Sequence, residues 1–420
     1  MRQLYEAGAS VLVSAGGDID ANVSNIVKNL MLAQVAIREL GRILDLPQFM
    51  LEASDDVIFL HSSFRVSSTW LWSRFKAVDG ILAFYEIFNE RLAVVTREQA
   101  AKEESKDWRS KHPAGLSYFS EFIPLIREEG GVESYDFRMG MASFVPVGGL
   151  TGRLADSEKR YVSSLIAHAH RLGKRPLLSD TRTLGRIRAL KHCFGGIHIL
   201  VYRNLFHQWC SYSEQMAYDN PTFFNSIQTI IKHSQHDPYF AILARRFDIE
   251  TLSIDNSDLF YAFVFMHLYI YSQMLDVSDI SLDVTRVAKS PDLRRSMERV
   301  IFDSTRIALD LSDARLSLGL SLVDLGPPDE LARTLHAGIN EMFGLAPYKT
   351  DRGFIEQAID DICEEYGRYR FYAGTASELI TTRGIAGVSQ RGASRVKAET
   401  LKNLSFRQML GRAIKLIGIG

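Results

Sequence analysis

Along residues 20–45 the apolar positions Val23, Ile26, Val27, Leu30, Leu32, Val35, Ile37, Leu40, Ile43 and Leu44 recur at the spacing of a helix face, ending near Leu46-Pro47. The pattern then changes. Short apolar runs at Val57–Leu60, Ile81–Tyr85, Pro176–Leu178 and Ile197–Tyr202 read as strands buried on both faces, most of them followed by a helical stretch. Ser157–Leu172 predicts one intervening helix stopped by Gly173, and Leu184–Phe194 another stopped by Gly195-Gly196. Strand, helix and strand alternate in the order of parallel crossover units. Beyond Asn204 the chain reads as almost entirely helical, and Leu259–Tyr271 as a buried helix, too short for the roughly 20 residues of a membrane span.

Three parts are therefore expected: a helical N-terminal extension over residues 1–53, a core over 54–330, and a helical, basic C-terminal extension over 331–420. The core predicts an α/β fold, with a three-layer parallel sheet flanked by helices. Residues 98–112 are a charge run that reads as a solvated face or loop.

Composition narrows the function classes. With 420 residues, 46% hydrophobic and 24% charged, the chain is ordinary globular material, and its net charge of −1 gives no reason to expect a nucleic-acid partner. Any anion site must be local. Three cysteines, Cys193, Cys210 and Cys363, form no CxxC pair and no even framework, so neither zinc nor disulfides are indicated, and a reducing cytoplasm fits. The N-terminus, broken by Gly16, Gly17 and Asp18, is poor material for a signal-peptide core.

Candidate chemistry begins at 57-VIFLHSSFRVSSTWLWSRF-75, where a strand runs into a polar turn and a helix starting near Ser68 or Thr69. A helix N-terminus has unsatisfied N–H donors and a partial positive charge, so it seats phosphate readily. Ser67, Ser68 and Thr69 add hydroxyls, and Arg65 adds a planar, permanently charged fork. A simple helix cap needs only one such hydroxyl. No lysine precedes Thr69, so this is not a Walker loop, and binding without magnesium is implied.

A second strand-to-helix segment, 197-IHILVYRNLFHQWCSY-212, carries Arg203 at the strand end and Ser211 eight residues on. Taken alone, Arg203 reads as a surface ion-pair residue. A third segment, 81-ILAFYEIFNE-90, ends a strand on Glu86, followed by Glu90. A carboxylate there can serve as general base or can anchor the first loop by pairing with Arg65.

Together these segments resemble the sulfotransferase superfamily that uses 3′-phosphoadenosine 5′-phosphosulfate (PAPS). Its first loop reads Pro-Lys-Ser/Thr-Gly-Thr-Thr-Trp; here Phe64 stands at the proline, Arg65 at the lysine, and Ser67 at the glycine, a P-loop-like arrangement. The resemblance implies that Arg65, Val66, Ser67, Ser68, Thr69 and Trp70 bind the 5′-phosphosulfate end, with Trp70 near the adenine. Arg203 and Ser211, with Asn204 between them, resemble the family's 3′-phosphate motif, although Leu205 replaces its proline. Glu86 resembles the glutamate base of the saccharide and glycolipid branch, implying a bacterial enzyme with a saccharide or glycolipid acceptor. Pro176–Arg182 and Gly185–Arg188 resemble the segment that precedes the second motif in bacterial and carbohydrate members, which leaves two readings of Arg182 and Arg186: one of them faces the nucleotide or an anionic acceptor, or they are surface helix arginines. Arg383 and Gly384 resemble the start of a C-terminal phosphate clamp.

Residues 382–420 hold eight Lys/Arg against Glu399 alone. Beyond Arg383-Gly384, the amphipathic end Phe406–Ile419 is expected to make peripheral membrane contact. Asp18-Ile-Asp20 reads as helix capping, His168-x-His170 does not share a helix face for a metal, and Gly148–Gly152 reads as a turn beside the acceptor. No metal is expected. The alternatives are a nucleotide-dependent kinase of related fold and a non-catalytic nucleotide-binding module.

Overall fold

The computed structural model describes residues 56–102, 116–316, 321, 323–345 and 351–382. The expected N-terminal helical extension, Asp18 and Asp20, most of the 98–112 charge run, Arg383, Gly384 and the basic tail lie outside the described residues.

Five strands form one all-parallel sheet: β1 (Ile58–Ser62), β2 (Ile81–Tyr85), β3 (Arg175–Asp180), β4 (Ile197–Tyr202) and β5 (Ile280–Asp283), in the order β2-β3-β1-β4-β5. The four strands expected from apolar runs are present, within two residues of their predicted bounds. The fifth corrects the all-helical expectation after Asn204. Its four residues alternate, Ile280 and Leu282 buried, Ser281 and Asp283 less so, as an edge position requires.

Twelve α-helices are described: α1 (Ser68–Lys76), α2 (Arg97–Ala101), α3 (Asp156–Arg171), α4 (Ile187–Phe194), α5 (Leu205–Met216), α6 (Thr222–His233), α7 (Pro238–Arg246), α8 (Ser257–Met274), α9 (Val284–Lys289), α10 (Pro291–Thr305), α11 (Pro328–Phe343) and α12 (Arg352–Thr382). Alternate residues of β1 enter different cores. Ile58 and Leu60 pack with Leu71, Trp72 and Phe75 of α1 and with Val287 and Ile301, while Phe59 packs with Leu165 of α3 and Leu190 of α4 on the other face. Both faces are covered, which is why the strands read as nearly continuous apolar runs.

A third core gathers the helices after β4 around α8, whose residues from Leu259 to Met274 are buried except Tyr261. Asn256 caps α8 by accepting from the Asp258 and Leu259 N–H groups. This core does not stop at residue 330. Leu331, Leu335 and Ile339 of α11 and Ile355, Ile359, Ile362 and Tyr366 of α12 belong to it, so these two helices pack as part of the core rather than as an appendage. Among the described residues, no helix is long and apolar enough to cross a membrane.

Candidate functional site

The chain leaves β1 toward β2 on one side of the sheet, and leaves β4 toward β5 on the other. Adjacent strands with diverging connections open a crevice at their carboxyl ends, where ligands of open parallel sheets bind. The first two motifs meet there. The Arg65 Nε donates to Ser211 Oγ at 2.9 Å, and the Arg203 Nη1 donates to the Arg65 carbonyl at 3.0 Å. Residues 146 and 138 positions apart in sequence thus form one cationic corner.

The loop between β1 and α1 is held in an unusual backbone. Arg65 (φ 63°) and Ser67 (φ 66°) both lie in the left-handed region and flank Val66. Each such residue without glycine costs on the order of 1–3 kcal/mol, a cost that persists where surroundings impose it. Behind the loop, Gln208 Nε2 of α5 donates to the Phe64 carbonyl (2.8 Å) and to Ser63 Oγ (3.0 Å). Ser63 Oγ in turn donates to His267 Nε2 of α8 at 2.7 Å, because His267 Nδ1 donates to the Phe263 carbonyl. Burial holds His267 down at about 4, so it is a neutral acceptor at neutral pH.

The hydroxyls of the first helical turn have protein partners. Thr69 Oγ1 lies 2.6 Å and Ser68 Oγ 3.3 Å from Tyr85 Oη at the end of β2, so α1 and β2 share one hydroxyl cluster. Desolvation raises the Tyr85 phenol above its ordinary value. The first turn of α1 carries no acid, and its leading N–H groups have no intrahelical acceptors. Trp70 is half-buried, its indole N–H donating to Asp313 Oδ1 at 2.9 Å.

Glu86 follows Tyr85 and is itself left-handed (φ 50°). Its expected structural partner, Arg65, is replaced by Arg182: Arg182 Nη1 lies 3.2 Å from Glu86 Oε2, and Asn89 also donates to that oxygen. Arg182 bridges two acids, since its Nη2 lies 2.9 Å from Glu90 Oε2. Its guanidinium sits 5.2 Å from the centre of the Phe64 ring, linking the β3 loop to the β1 loop. The facing Asp180, buried under these residues, is pushed up to about 6 by desolvation.

Arg186 departs from expectation. Its side chain is wholly buried, pairs with Glu158 at 2.8 Å, donates to the Met139 and Gly140 carbonyls at 2.7 Å each, and lies 4.3 Å from the Phe88 ring centre. Buried on every side and with both Nη groups bonded within the fold, it does not face a nucleotide or an acceptor. Arg203 is also buried, and desolvation lowers it to about 10, which leaves it cationic at neutral pH. Asn204 caps α5 by accepting from the His207 N–H, and its amide donates to the Asp361 carbonyl of α12. His168 and His170 turn to different neighbours, Arg171 and Asp56. Gly148 is left-handed (φ 97°) and leads into a single 3₁₀ turn, Gly149–Thr151.

Sequence reasoning missed Tyr85, Gln208 and the Ser63–His267 pair as supports. One signal was present: a Gln and a His inside strongly apolar helices are buried polar groups that need partners.

A second buried relay runs behind β1. His198 Nε2 donates to the Gly195 carbonyl (2.8 Å), so its Nδ1 accepts from His61 Nε2 (2.9 Å), and His61 Nδ1 accepts from Thr183 Oγ1 (2.8 Å). Burial lowers both rings, His198 to about 4. A histidine with a lowered folded pKa takes up its proton in the unfolded chain first. The stability it allows is therefore complete above its ordinary 6.5 and is lost as pH falls from there toward 4. Asp180 works in the opposite sense, since its raised pKa adds stability as pH falls through about 6. His198 and His267, both held at about 4, outweigh Asp180, and His61 acts in the same direction: going from pH 7 to 5 is expected to cost at least about 2 kcal/mol, at about 1.4 kcal/mol per pKa unit. Urea titrations across that range check it; equal stability at pH 5 and 7 would show that the rings protonate in place.

The fold and site define an α/β protein with a five-stranded all-parallel sheet, flanked by helices, whose cationic corner lies at the carboxyl ends of the adjacent strands β1 and β4. Comparisons with models of protein families, with curated proteins and with solved structures find no match to this chain.

Proposed function

We propose that this chain is a sulfotransferase that moves the sulfuryl group of PAPS to a hydroxyl of a saccharide or glycolipid. One observation carries the reading. The two motifs that resemble the family's phosphate-binding segments, far apart in sequence, join at one strand switch through the Arg65–Ser211 and Arg203–Arg65 bonds. The P-loop-like turn into α1 would seat the 5′-phosphosulfate on helix N–H groups, with Arg65 at the sulfuryl group and Arg203 and Ser211 at the 3′-phosphate. The acceptor oxygen forms the new O–S bond as the bond from sulfur to the 5′-phosphate oxygen breaks. Glu86 takes the acceptor's proton, and adenosine 3′,5′-bisphosphate leaves. Such transfer is dominated by positioning and by neutralising spread charge, which suits a loop held rigid from behind by Gln208, Ser63 and His267.

Binding of adenosine 3′,5′-bisphosphate without magnesium tests the reading; at 100 times Kd it should add roughly 2.7 kcal/mol of stability. ATP should compete poorly. Arg203→Ala is expected to weaken this ligand at least tenfold, since charge-assisted hydrogen bonds are worth roughly 1.5–3 kcal/mol, and to leave adenosine 5′-phosphate almost unaffected. Equal losses for both nucleotides would mean that Arg203 only supports the Arg65 carbonyl.

One observation favours the non-catalytic alternative: the Glu86 carboxylate is already shared by Arg182 and Asn89. Turnover of PAPS with any acceptor removes that alternative.

A further inference from the structure

Asp180, the last residue of β3, is 1% exposed, and its carboxylate accepts backbone N–H groups from two different loops. Oδ2 accepts from Phe88, which follows shortly after Glu86, at 2.7 Å, and Oδ1 accepts from Arg182. One carboxylate thus ties together the backbones that carry the candidate base and the arginine that holds it. Two further bonds press the Glu86 turn onto its neighbours: the Ile87 N–H donates to the Ser179 carbonyl of β3 at 3.3 Å, and the Tyr161 hydroxyl of α3 donates to the Ile87 carbonyl at 2.6 Å.

The turn needs such a tie, because Glu86 is left-handed (φ 50°), a conformation that a residue other than glycine keeps only where its surroundings impose it. Held there, Glu86 Oε2 meets Arg182 Nη1 at 3.2 Å. An ionised carboxylate is the side chain suited to this place, since it is all acceptor; an amide would accept through one oxygen and set its NH2 against the other backbone N–H. We propose that Asp180 is a positioning residue that sets Glu86 against Arg182 for proton transfer. The inference rests on the reading of Glu86 as the general base.

Burial pushes the Asp180 carboxyl up to about 6, against the pull of Arg182 and of the two N–H groups. Above that, both N–H groups have a charged acceptor; below it, one oxygen becomes a hydroxyl and the tie weakens. The groups facing Asp180 are Arg182 on its own loop, Arg186 before α4, Tyr85 and Glu86 at the end of β2, Tyr135, and Tyr161 of α3. Burial raises the three phenols, and the guanidiniums stay charged in their pairs with Glu86, Glu90 and Glu158, so none of these five changes charge as pH falls from 8 through 6. Glu86 is the remaining neighbour, and Glu86→Gln removes it from the titration.

Single-turnover transfer from saturating PAPS to a methyl hexoside, taken from a panel as one that the unaltered full chain sulfates, tests it. Rates are followed from about pH 5.5 to about 8.5 for the unaltered chain, Asp180→Asn, Glu86→Gln and the double variant. Near pH 8, Asp180→Asn should lower the rate about tenfold to a hundredfold, the cost of a misplaced group, and hardly change the Kd of adenosine 3′,5′-bisphosphate. Added to Glu86→Gln, it should cost almost nothing more, because Asp180 acts through Glu86. The unaltered chain should lose rate reversibly as pH falls through about 6, and Asp180→Asn should lack that limb. Asp180→Ser, which keeps one acceptor, serves in its place if the asparagine variant does not fold. A full rate in the Asp180 variant, an equal loss of nucleotide affinity, an undiminished loss on top of Glu86→Gln, or pH profiles of the same shape would overturn the proposal. A full rate in Glu86→Gln, or no sulfated hexoside from the unaltered chain, marks instead the failure of the base or of the transferase reading, and the inference falls with it.

Discussion

If the chain transfers sulfuryl as proposed, Glu86→Gln is expected to lower kcat by about 10²–10⁴, the usual contribution of a general base, with nucleotide affinity hardly changed. Glutamine keeps the volume of the side chain and can still accept from Arg182 and Asn89, which hold Glu86 Oε2. The left-handed backbone at Glu86 stays as it is, so the substitution removes the proposed proton acceptor and little else. If the carboxylate serves only to hold Arg182, the order of effects reverses. Arg182 would then shift against Phe64, the β1 loop would loosen, and nucleotide binding would suffer more than chemistry. Single-turnover transfer at saturating nucleotide separates the two. A rate near that of the unaltered chain means that Glu86 is not the base, and Glu90, on the same arginine, becomes the group to replace.

The largest expected loss of stability is at Arg186. Arg186→Met should destabilise the fold by about 3–5 kcal/mol, the cost of leaving one member of a buried ion pair alone. Glu158 is 6% exposed and would keep its charge with the Ala155 N–H as its remaining donor among the described residues, while the Met139 and Gly140 carbonyls would each lose a bond. Adding Glu158→Gln should recover part of the loss, because the charge goes and the Ala155 bond can remain. The carbonyls would still lack their donor, so recovery should be incomplete. Urea unfolding of the two single variants and the double variant measures this coupling. A loss below about 1 kcal/mol in Arg186→Met would mean that water or a neighbour replaces the guanidinium without cost.

Arg186 also shows how far residue type alone can mislead. As a letter, it stands near Arg182 in a segment that resembles one facing the ligand, and nothing local distinguishes the two. The difference comes from distant residues: Glu158 on α3 and the carbonyls at 139 and 140 close around Arg186, whereas Glu86 and Glu90 after β2 take Arg182 to the site. Glu86 carries the same lesson, since its partner proved to be an arginine 96 residues away rather than the nearby Arg65.

What the sequence by itself determined was the part governed by local rules. Apolar runs bounded by turns marked four of the five strands, and glycines marked the ends of α3 and α4. Strand-to-helix junctions with hydroxyls and arginines located the loops after β1 and β4. The short β5 escaped notice because four alternating residues carry little periodic signal, and an edge strand takes its identity from the neighbour it pairs with. Tertiary structure decided the strand order, and with it the meeting of Arg65, Ser211 and Arg203 at one crevice. It also decided which buried polar groups support the loop, and that α11 and α12 belong to the core. The physical reason is range. Periodicity and capping are set within a few residues, but a buried charge or hydroxyl is satisfied by whatever donor or acceptor the packed chain brings within about 3 Å.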